Sequence, residues 1–301
     1  MKAEHISMRI SKICQLLGVS RQSYYQYFYR QEWLSVEQDL VLKRVRKIRE
    51  EHRYMGTRKL YELLQPFLLK HQIKIGRDAL FDLLSAHKLL VRRRQRKIST
   101  TNSYHRFKKW PNLIRDFIPS QINQLWVSDI TYWKVGKAFM YIHIITDAYS
   151  HKIVGYRLSN TLKVKESLKA LKMAISSSLG GLDTPFQLIH HSDRGIQYCS
   201  DTYVKFLQDN KIRISMTENS DPRENAIAER VNGILKHEYL KGLKVRNSCQ
   251  AKQELQKAIR LYNQERPHLS IGMLKPEQLH QKQHLKTKKL WKNYYYEKSK
   301  L

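Results

Sequence analysis

Three carboxylates stand in local settings that suit the binding of metal ions. Asp129 lies inside an alternating apolar and polar run, residues 126–133, which predicts a β-strand. Asp193 follows the apolar run 186–190, and Glu229 lies in a stretch with helical periodicity. Two strand-borne Asp residues and one helix-borne Glu can converge at one edge of a sheet. Mg²⁺ binds a few carboxylates together with water and phosphate oxygens, so these three residues are the candidate catalytic and metal-binding set.

The chemistry that such a set can perform is phosphodiester cleavage by two metal ions. This reaction needs carboxylates that bridge and flank two cations about 4 Å apart, one near the attacking oxygen and one near the leaving oxygen. Asp129 is the best candidate for the bridging ligand because it projects from a central strand. Asp193 would then hold one ion and Glu229 the other. Each carboxylate alone would more often be a surface or salt-bridged residue, but the three settings together favour catalysis.

The helix of Glu229 offers further candidate residues. Asn225, Glu229, Asn232 and Lys236 are spaced four, three and four apart, so they share one helix face. Lys236, two turns beyond Glu229, is a candidate for holding a substrate phosphate, with an ordinary exposed lysine as the alternative. Asn232 is a second candidate for contact with DNA.

Other polar residues nearby have simpler interpretations. Asp147 ends a predicted strand, where a turn or cap role is favoured. Strand alternation points His190 and His191 to opposite sides, so at most one faces the carboxylates, and Mg²⁺ does not require it. Three further acidic residues precede the Glu229 helix in a loop and lack its helical placement, namely Glu218, Asp221 and Glu224.

The spacing and the surrounding motifs carry a specific resemblance. Asp193 and Glu229 have 35 residues between them, the spacing of the D,D(35)E transposases and retroviral integrases. Four motifs occur in order: Trp126-x-x-Asp-Ile-Thr-Tyr, His191-Ser-Asp-Arg-Gly-x-Gln-Tyr, Asn225-Ala-x-Ala-Glu and Tyr262-Asn-x-x-Arg-Pro-His. Together they resemble the second-frame (OrfB-type) protein of IS-three family insertion sequences, from about residue 8 to residue 280.

The resemblance implies a DNA transposase with an α/β, ribonuclease H-like catalytic core. Its expected activity is metal-dependent nicking at the ends of the element and transfer of the freed 3′-hydroxyl to another phosphodiester, commonly through a circular DNA intermediate. The implied cofactor is Mg²⁺, with Mn²⁺ as an alternative, at two ions per active site. The implied partners are double-stranded terminal-repeat and target DNA, an upstream-frame OrfA-type protein joined by frameshifting, and further copies of the chain on DNA.

Composition agrees with a polyanionic partner. The chain has 56 Lys and Arg against 26 Asp and Glu, a formal net charge of +30 over 301 residues. Such a charge predicts binding that weakens steeply with salt. There is no run of about 18 apolar residues and no signal peptide, so we expect a cytoplasmic, nucleoid-associated bacterial protein with no membrane partner. The three cysteines are too scattered for a zinc site or a disulfide framework, which favours reduced thiols.

The chain divides into six predicted segments. Residues 1–34 are predicted to form a helix, a turn at Gly18 and a second helix capped by Ser20. As a helix-turn-helix, this segment would place Arg21, Gln22 and Tyr24 near a DNA groove. The alternative is a small helical hairpin that packs on the rest of the protein. Residues 35–91 form a helical, helix-turn-helix-like unit. Residues 92–119 form a basic linker suited to phosphate contacts, or a solvated spacer, and its densest charges are Arg92, Arg93, Arg94, Arg96 and Lys97.

The catalytic core is predicted over residues 120–245. Its strands and helices follow the order β-β-β-α-β-α-β-α, with five strands in a mixed sheet. A helical extension, residues 246–283, and a basic aromatic tail, residues 284–301, complete the chain. The terminal motif around Tyr262 and Arg266 either supports the Glu229 helix or contacts DNA.

Two other functions are consistent with parts of this pattern. A non-catalytic DNA-binding regulator would explain the charge but not the three carboxylates, and metal-dependent nicking of end DNA would exclude it. A ribonuclease H-type nuclease would share fold and metals, and strand joining rather than hydrolysis alone would exclude that alternative.

Overall fold

The computed structural model of the protein describes residues 9–91, 106–179, 188–218 and 222–281. The strands are Leu125–Val135 (β1), Ala138–Asp147 (β2), Ile153–Ser159 (β3), Ile189–Ser192 (β4) and Arg213–Met216 (β5). The helices are Ile10–Leu16 (α1), Arg21–Glu51 (α2), Thr57–Lys70 (α3), Arg77–Ala86 (α4), Val164–Leu179 (α5), Ile196–Cys199 (α6), Asp201–Asp209 (α7), Ala226–Ile234 (α8), Ser248–Gln264 (α9) and Pro276–Gln281 (α10). None of these helices is long and apolar enough to cross a membrane.

The five strands form one mixed sheet in the order β3-β2-β1-β4-β5. The first three strands are an antiparallel meander, and Gly136, with φ of 59°, makes the tight turn between β1 and β2. β4 and β5 run parallel to β1, which requires the helical crossovers that precede each of them. This arrangement is the ribonuclease H-like core that the sequence predicts.

Helices cover both faces of the sheet and create two apolar cores. On one face α5 and α7 pack over Trp126, Ile145 and Val154. On the other face α8 and α9 pack over Trp133 and Ile142. The approach of α5 to β3 is close at Gly155, because a Cβ atom there would lie 2.8 Å from the Cβ of Ala174.

The N-terminal part forms a separate helical core. α2, α3 and α4 bury aliphatic side chains against each other, among them Val41, Leu60 and Leu80. The backbone N–H of Ser23 donates to Ser20 Oγ at 3.0 Å, which confirms the predicted cap. The second helix does not end near residue 34, however. It continues to Glu51, so the predicted boundary between residues 34 and 35 falls inside α2.

The packed core begins earlier than the predicted Ser120. Trp110 packs on the α5 side of the sheet, and Leu113, Ile114 and Phe117 pack beside Leu125 on the opposite face. The N–H of Leu113 donates to Ser215 Oγ at 2.9 Å. Within the predicted linker, residues 92–105 lie outside the described residues, whereas the later part lies along the end of β5.

The helix that carries Glu229 has an irregular continuation. After α8, residues Leu235–Leu240 form a π-helical turn, and the helix ends at Lys241. Single π turns inside helices are uncommon and are often found near functional sites. Leu235, Tyr239 and Leu240 are buried in the core of the α9 face.

Candidate active site

Parallel pairing of β1 and β4 brings the two Asp residues side by side. Ser128 of β1 is opposite Ser192 of β4, and this is the last pair in the ladder. Asp129 and Asp193 each come one residue later, on neighbouring strands that are about 4.8 Å apart in any sheet. Asp193 Oδ1 also accepts the N–H of Gly195 at 3.1 Å, which turns the chain away from the sheet. The predicted convergence of the strand-borne carboxylates is therefore present.

Two asparagines hold the helix of Glu229 against β1. Asn225 Nδ2 donates to the carbonyl of Ser128 at 3.0 Å, and Asn232 Nδ2 donates to Asp129 Oδ2 at 2.7 Å. Glu229 lies between them, in the first turn of α8, with an exposed side chain. Asn232 is 5% exposed, so its amide is directed at Asp129 and not at solvent, unlike the predicted DNA contact. The shared helix face was visible in the sequence, but the bond to Asp129 was not.

The carboxylate of Asp129 is in an environment that disfavours its charge. Burial raises its pKa, and the charges of Asp193 and Glu229 raise it further. Hydrogen bonds from Asn232 and from the N–H of Ile130 act in the opposite direction, and the resulting pKa is about 7. The surplus of negative charge is what a divalent cation would offset.

The three carboxylates have the right ligand atoms for a metal ion, but their side chains are not yet arranged around one. The donor set is all oxygen, as Mg²⁺ requires, and the three carboxylates are close enough to influence one another's charge. Within the described ranges, however, no three Asp, Glu, His or Cys side chains are grouped closely enough to hold one ion. Without a cation, carboxylates repel each other, and a bound ion would draw them together.

The neighbouring histidines belong to the core and not to this set. His190 Nε2 lies 2.7 Å from Ser128 Oγ and 3.1 Å from the hydroxyl of Tyr203. His191 Nδ1 lies 2.8 Å from Ser215 Oγ on β5. Burial lowers the pKa of His190 to about 3 and that of His191 to about 4, so both are neutral at pH 7.

Asp147 has the turn role predicted for it. Its Oδ1 accepts the N–H and the hydroxyl of Ser150, each at 2.7 Å, and its Oδ2 accepts the N–H of Asn123 at 2.8 Å. The acidic residues of the loop are also engaged, since Glu218 accepts from Arg115 at 2.7 Å and its own N–H donates to Glu224 at 2.7 Å. Asp221 lies outside the described residues.

The terminal motif supports the core. The Tyr262 hydroxyl donates to the carbonyl of His151 at 3.0 Å. Asn263 binds both the N–H and the carbonyl of Ile153, at 2.9 and 3.0 Å, and so completes the start of β3. Arg266 is 1% exposed. Of the two roles that the sequence left open, burial favours support.

The predicted DNA-contacting residues are placed as follows. The ammonium of Lys236 lies 4.1 Å from the ring centroid of Tyr132, an exposed residue of β1. Arg21 and Gln22 are exposed in the first turn of α2, far along the chain from the carboxylates. The five linker cations, Arg92, Arg93, Arg94, Arg96 and Lys97, lie outside the described residues.

One cavity of the described part of the chain lies apart from the three carboxylates. This cavity, of about 210 Å³, lies between the end of β3 and the N-terminus of α9, and its lining includes Arg157, Lys163 and Lys252 but none of the three carboxylates. Glu229, by contrast, has an exposed side chain at the sheet edge.

Comparison with known proteins gives consistent matches. The integrase core domain family matches residues 119–222 and, through a second family of the same description, residues 210–276. The insertion element IS600 uncharacterized 31 kDa protein of Shigella sonnei is 33% identical over 277 residues, covering 90% of this chain and 98% of that protein. Transposase InsF for insertion sequence IS3fB of Escherichia coli K12 is 27% identical and covers 89% of this chain and 93% of its own. Among solved structures, the HTLV-2 integrase catalytic core domain in complex with magnesium is 23% identical, with a TM-score of 0.43, and covers 53% of this chain and 97% of that one.

Proposed function

This chain belongs to the IS-three family of insertion-sequence transposases, and we propose that Asp129, Asp193 and Glu229 are the residues with which it catalyses DNA transposition. They would hold two Mg²⁺ ions, or Mn²⁺ in their place, at the edge of the sheet where β1 and β4 end. The reaction would be nicking at each end of the element, followed by attack of the freed 3′-hydroxyl on a second phosphodiester.

The roles of the protein groups follow from their positions. Asp129, on the central strand and beside Asp193, is suited to contact both ions, and Asp193 and Glu229 to contact one each. Asn232 orients Asp129 by donating to Oδ2, which leaves the remaining lone pairs of the carboxylate for cations. Bound divalent ions would lower the pKa of the attacking hydroxyl and stabilise the leaving oxygen.

One observation supports this assignment above the others. The parallel register of β1 and β4 places Asp129 and Asp193 at equivalent positions, while Asn225 and Asn232 attach the helix of Glu229 to the same strand. A structural role alone does not explain why Asp129 should remain in a place that raises its pKa to about 7. Perturbed carboxylates of this kind are common at catalytic sites.

The decisive assay uses the full chain with the terminal DNA of its own element and Mg²⁺. We expect nicked ends and joined strands, and joined strands would separate transposition from simple hydrolysis. Asp129→Ala, Asp193→Ala and Glu229→Ala should each reduce cleavage by about a thousandfold or more, because metal ligands act as one unit. DNA affinity should change little, since it depends mainly on Lys and Arg. A variant that keeps near-normal cleavage would remove its residue from the site.

We also propose two kinds of protein partner from the family resemblance. One is an upstream-frame OrfA-type protein, joined to this chain by frameshifting, and the other is a second copy of the chain on DNA. Light scattering of the chain with and without terminal DNA tests the second, and adding the upstream-frame product to the cleavage assay tests the first. A monomer on DNA would count against the second copy of the chain. Cleavage unaffected by the added product would count against the upstream-frame partner.

A further inference from the structure

The catalytic helix extends well beyond Glu229. Because the π-helical turn follows α8 without a break, Glu238 is joined to Glu229 by continuous helix. The two residues are nine positions apart in the sequence, which corresponds to about 13 Å along a helix axis. Any contact that fixes Glu238 therefore also restricts the position of Glu229.

Arg266 makes such a contact from inside the core. Its Nε and Nη2 donate to the two carboxylate oxygens of Glu238, at 2.8 and 2.7 Å, and its Nη1 donates to the carbonyl of Pro267 at 3.3 Å and lies 3.0 Å from His268 Nε2. The residue follows the end of α9, where its backbone N–H donates to the carbonyl of Leu261 at 3.0 Å. A two-point Arg–carboxylate pair fixes both orientation and distance.

The N-terminal helices α2 and α3 contact the same helix. Lys59, on α3, places its ammonium 3.9 Å from Glu238 Oε1. His52, at the end of α2, lies 3.2 Å from the hydroxyl of Tyr239 and 3.4 Å from Glu265 Oε2. His52 is 4% exposed, so its ring is buried in this contact.

The buried placement of the Lys59 ammonium is unfavourable for stability, although its attraction to Glu238 offsets part of that cost. Burial, with the nearby charge of Arg266, lowers the pKa of Lys59 to about 8, which means that the ammonium is held in a place that disfavours it. One carboxylate, Glu238, faces two cations there. An apolar side chain of similar length would fill such a place at lower cost in free energy. The charged residue therefore fits a geometric role better than a stabilising one.

We propose that Lys59 and Arg266 are positioning residues, which hold Glu238 from two elements, α3 and the segment after α9, and thereby set the position of Glu229 relative to Asp129. The placement of the helical unit then bears directly on the assembly of the catalytic set. This proposal rests on the proposed function, since it concerns the same site. Arg266 of the terminal motif then acts on the Glu229 helix through Glu238.

The test compares Lys59→Met with two other variants of the full chain. Lys59→Met should fold at least as stably as the wild type and should bind terminal DNA with similar affinity. Its single-turnover cleavage at saturating DNA should be slower by about tenfold to a hundredfold, because small misplacement of a catalytic group has effects of that size. Lys59→Arg should recover most of the rate, and Lys70→Met, which removes an exposed cation from the same helix, should cleave normally.

A second readout does not depend on activity. Amide hydrogen exchange in α8, residues 226–234, should be faster in Lys59→Met than in the wild type and unchanged in Lys70→Met. If the wild type cleaves and Lys59→Met cleaves equally fast, the positioning role is rejected, whatever the exchange rates. Unchanged exchange in α8 also rejects it. If the wild-type chain itself fails to cleave under any metal and DNA condition, the proposed function is rejected. The exchange comparison then still decides whether Lys59 restricts the motion of α8.

Discussion

At the scale of single residues, Asp129 combines a proposed catalytic role with a cost in stability. Its half-buried carboxylate stands beside Asp193 and Glu229, and its pKa rises from an ordinary value near 3.8 to about 7. Between those pH values the folded protein holds a proton that the unfolded chain has released. The free energy of unfolding of the metal-free protein should therefore fall as pH rises through this range, with the full loss above pH 7.

Asp129→Asn should consequently stabilise the metal-free protein while it abolishes cleavage. We expect the free energy of unfolding to rise by about 1 to 3 kcal/mol at pH 8, because the repelled buried charge is gone. Denaturant unfolding in EDTA at pH 8 and pH 4.5 measures this, and the gain should be much smaller at the lower pH. Asp147→Asn is the matched comparison. Burial also raises the pKa of Asp147, but its replacement should destabilise the protein, because an amide nitrogen in place of Oδ2 cannot accept the N–H of Asn123. Equal stability of Asp129→Asn and wild type at pH 8 would contradict the proposed electrostatics.

Lys236 is the second residue whose position leads to a prediction. Its ammonium rests on the exposed ring of Tyr132, on the strand that carries Asp129, where it could meet a DNA phosphate. Lys236→Ala should slow strand transfer by about tenfold while the free energy of unfolding changes by less than about 0.5 kcal/mol. Lys236→Arg should recover part of the rate by keeping the charge, although its planar guanidinium has a different shape.

The control for Lys236 keeps the ammonium and removes its ring partner. Tyr132→Leu should affect transfer less than Lys236→Ala does, if charge and not packing is what matters. Transfer rates and melting temperatures measured side by side decide the question. Normal transfer in Lys236→Ala, or a loss that tracks unfolding, would show that the lysine is an ordinary surface residue.

At the scale of elements, periodicity predicted most helices and strands, and it failed where contacts override local pattern. α9, Ser248–Gln264, lies within the helical extension predicted over residues 246–283, since its apolar positions repeat at helical spacing. The long α2 was divided wrongly at residue 34, because its composition changes there although it contains neither Gly nor Pro. The π turn after Ile234 was not foreseen, since nothing in the local sequence marks it.

The residues of the candidate site also fall into those that the sequence predicted and those that it did not. The three carboxylates could be inferred from the pattern of the segment around each and from the family motifs, and the shared face of Asn232 from helical spacing. The pairing of Arg266 with Glu238 joins residues 28 positions apart, and that of Lys59 with Glu238 spans far more. Such contacts depend on how the helices and strands pack against each other. No local pattern in a single sequence predicts that packing. Residues 110–118 were assigned to a linker for the same reason.

The close packing of α5 on β3 gives a prediction at this scale. Gly155→Ala would place a methyl group against the backbone and Cβ of α5 at less than ordinary contact distance, so the helix would have to move. We expect a loss of about 1 to 3 kcal/mol in the free energy of unfolding. Gly56→Ala is the matched control, because a Cβ there meets nothing within 4 Å and its φ of −71° suits any residue. Urea denaturation of the two variants measures the difference, and equal midpoints would mean that α5 adjusts freely.

At the scale of the whole molecule, the net charge of +30 must be offset by bound DNA or by counterions. Ion pairs between described residues reduce the self-repulsion only locally, and several of them, such as Lys257 with Glu51, are exposed. The dense run between residues 92 and 97 has no acidic residue near it in the sequence. We therefore expect it to contribute to affinity for any DNA, whatever its sequence.

Replacing Arg92, Arg93, Arg94, Arg96 and Lys97 with Gln tests that expectation. Affinity for element ends and for unrelated DNA should fall together, and the slope of log K against log salt should flatten by up to about 0.9 for each charge that contacts a phosphate. Fluorescence anisotropy at several salt concentrations measures both. Replacing Lys205, Lys211 and Arg213, which are exposed near the β5 edge, provides the per-charge comparison. An unchanged slope in the first variant would make the segment a spacer.

The uninterrupted α2 has a mechanical consequence. Its 31 residues form a rod of about 46 Å, with the helix-turn-helix at one end and His52, against Tyr239, at the other. A tilt of only about 5° at the His52 end would displace the far end by about 4 Å, close to the 3.4 Å rise of one base pair. If α1 and the start of α2 bind DNA as the sequence predicts, a shift of one base pair along that DNA would become a small rotation at the His52 end, beside the helix that continues from α8.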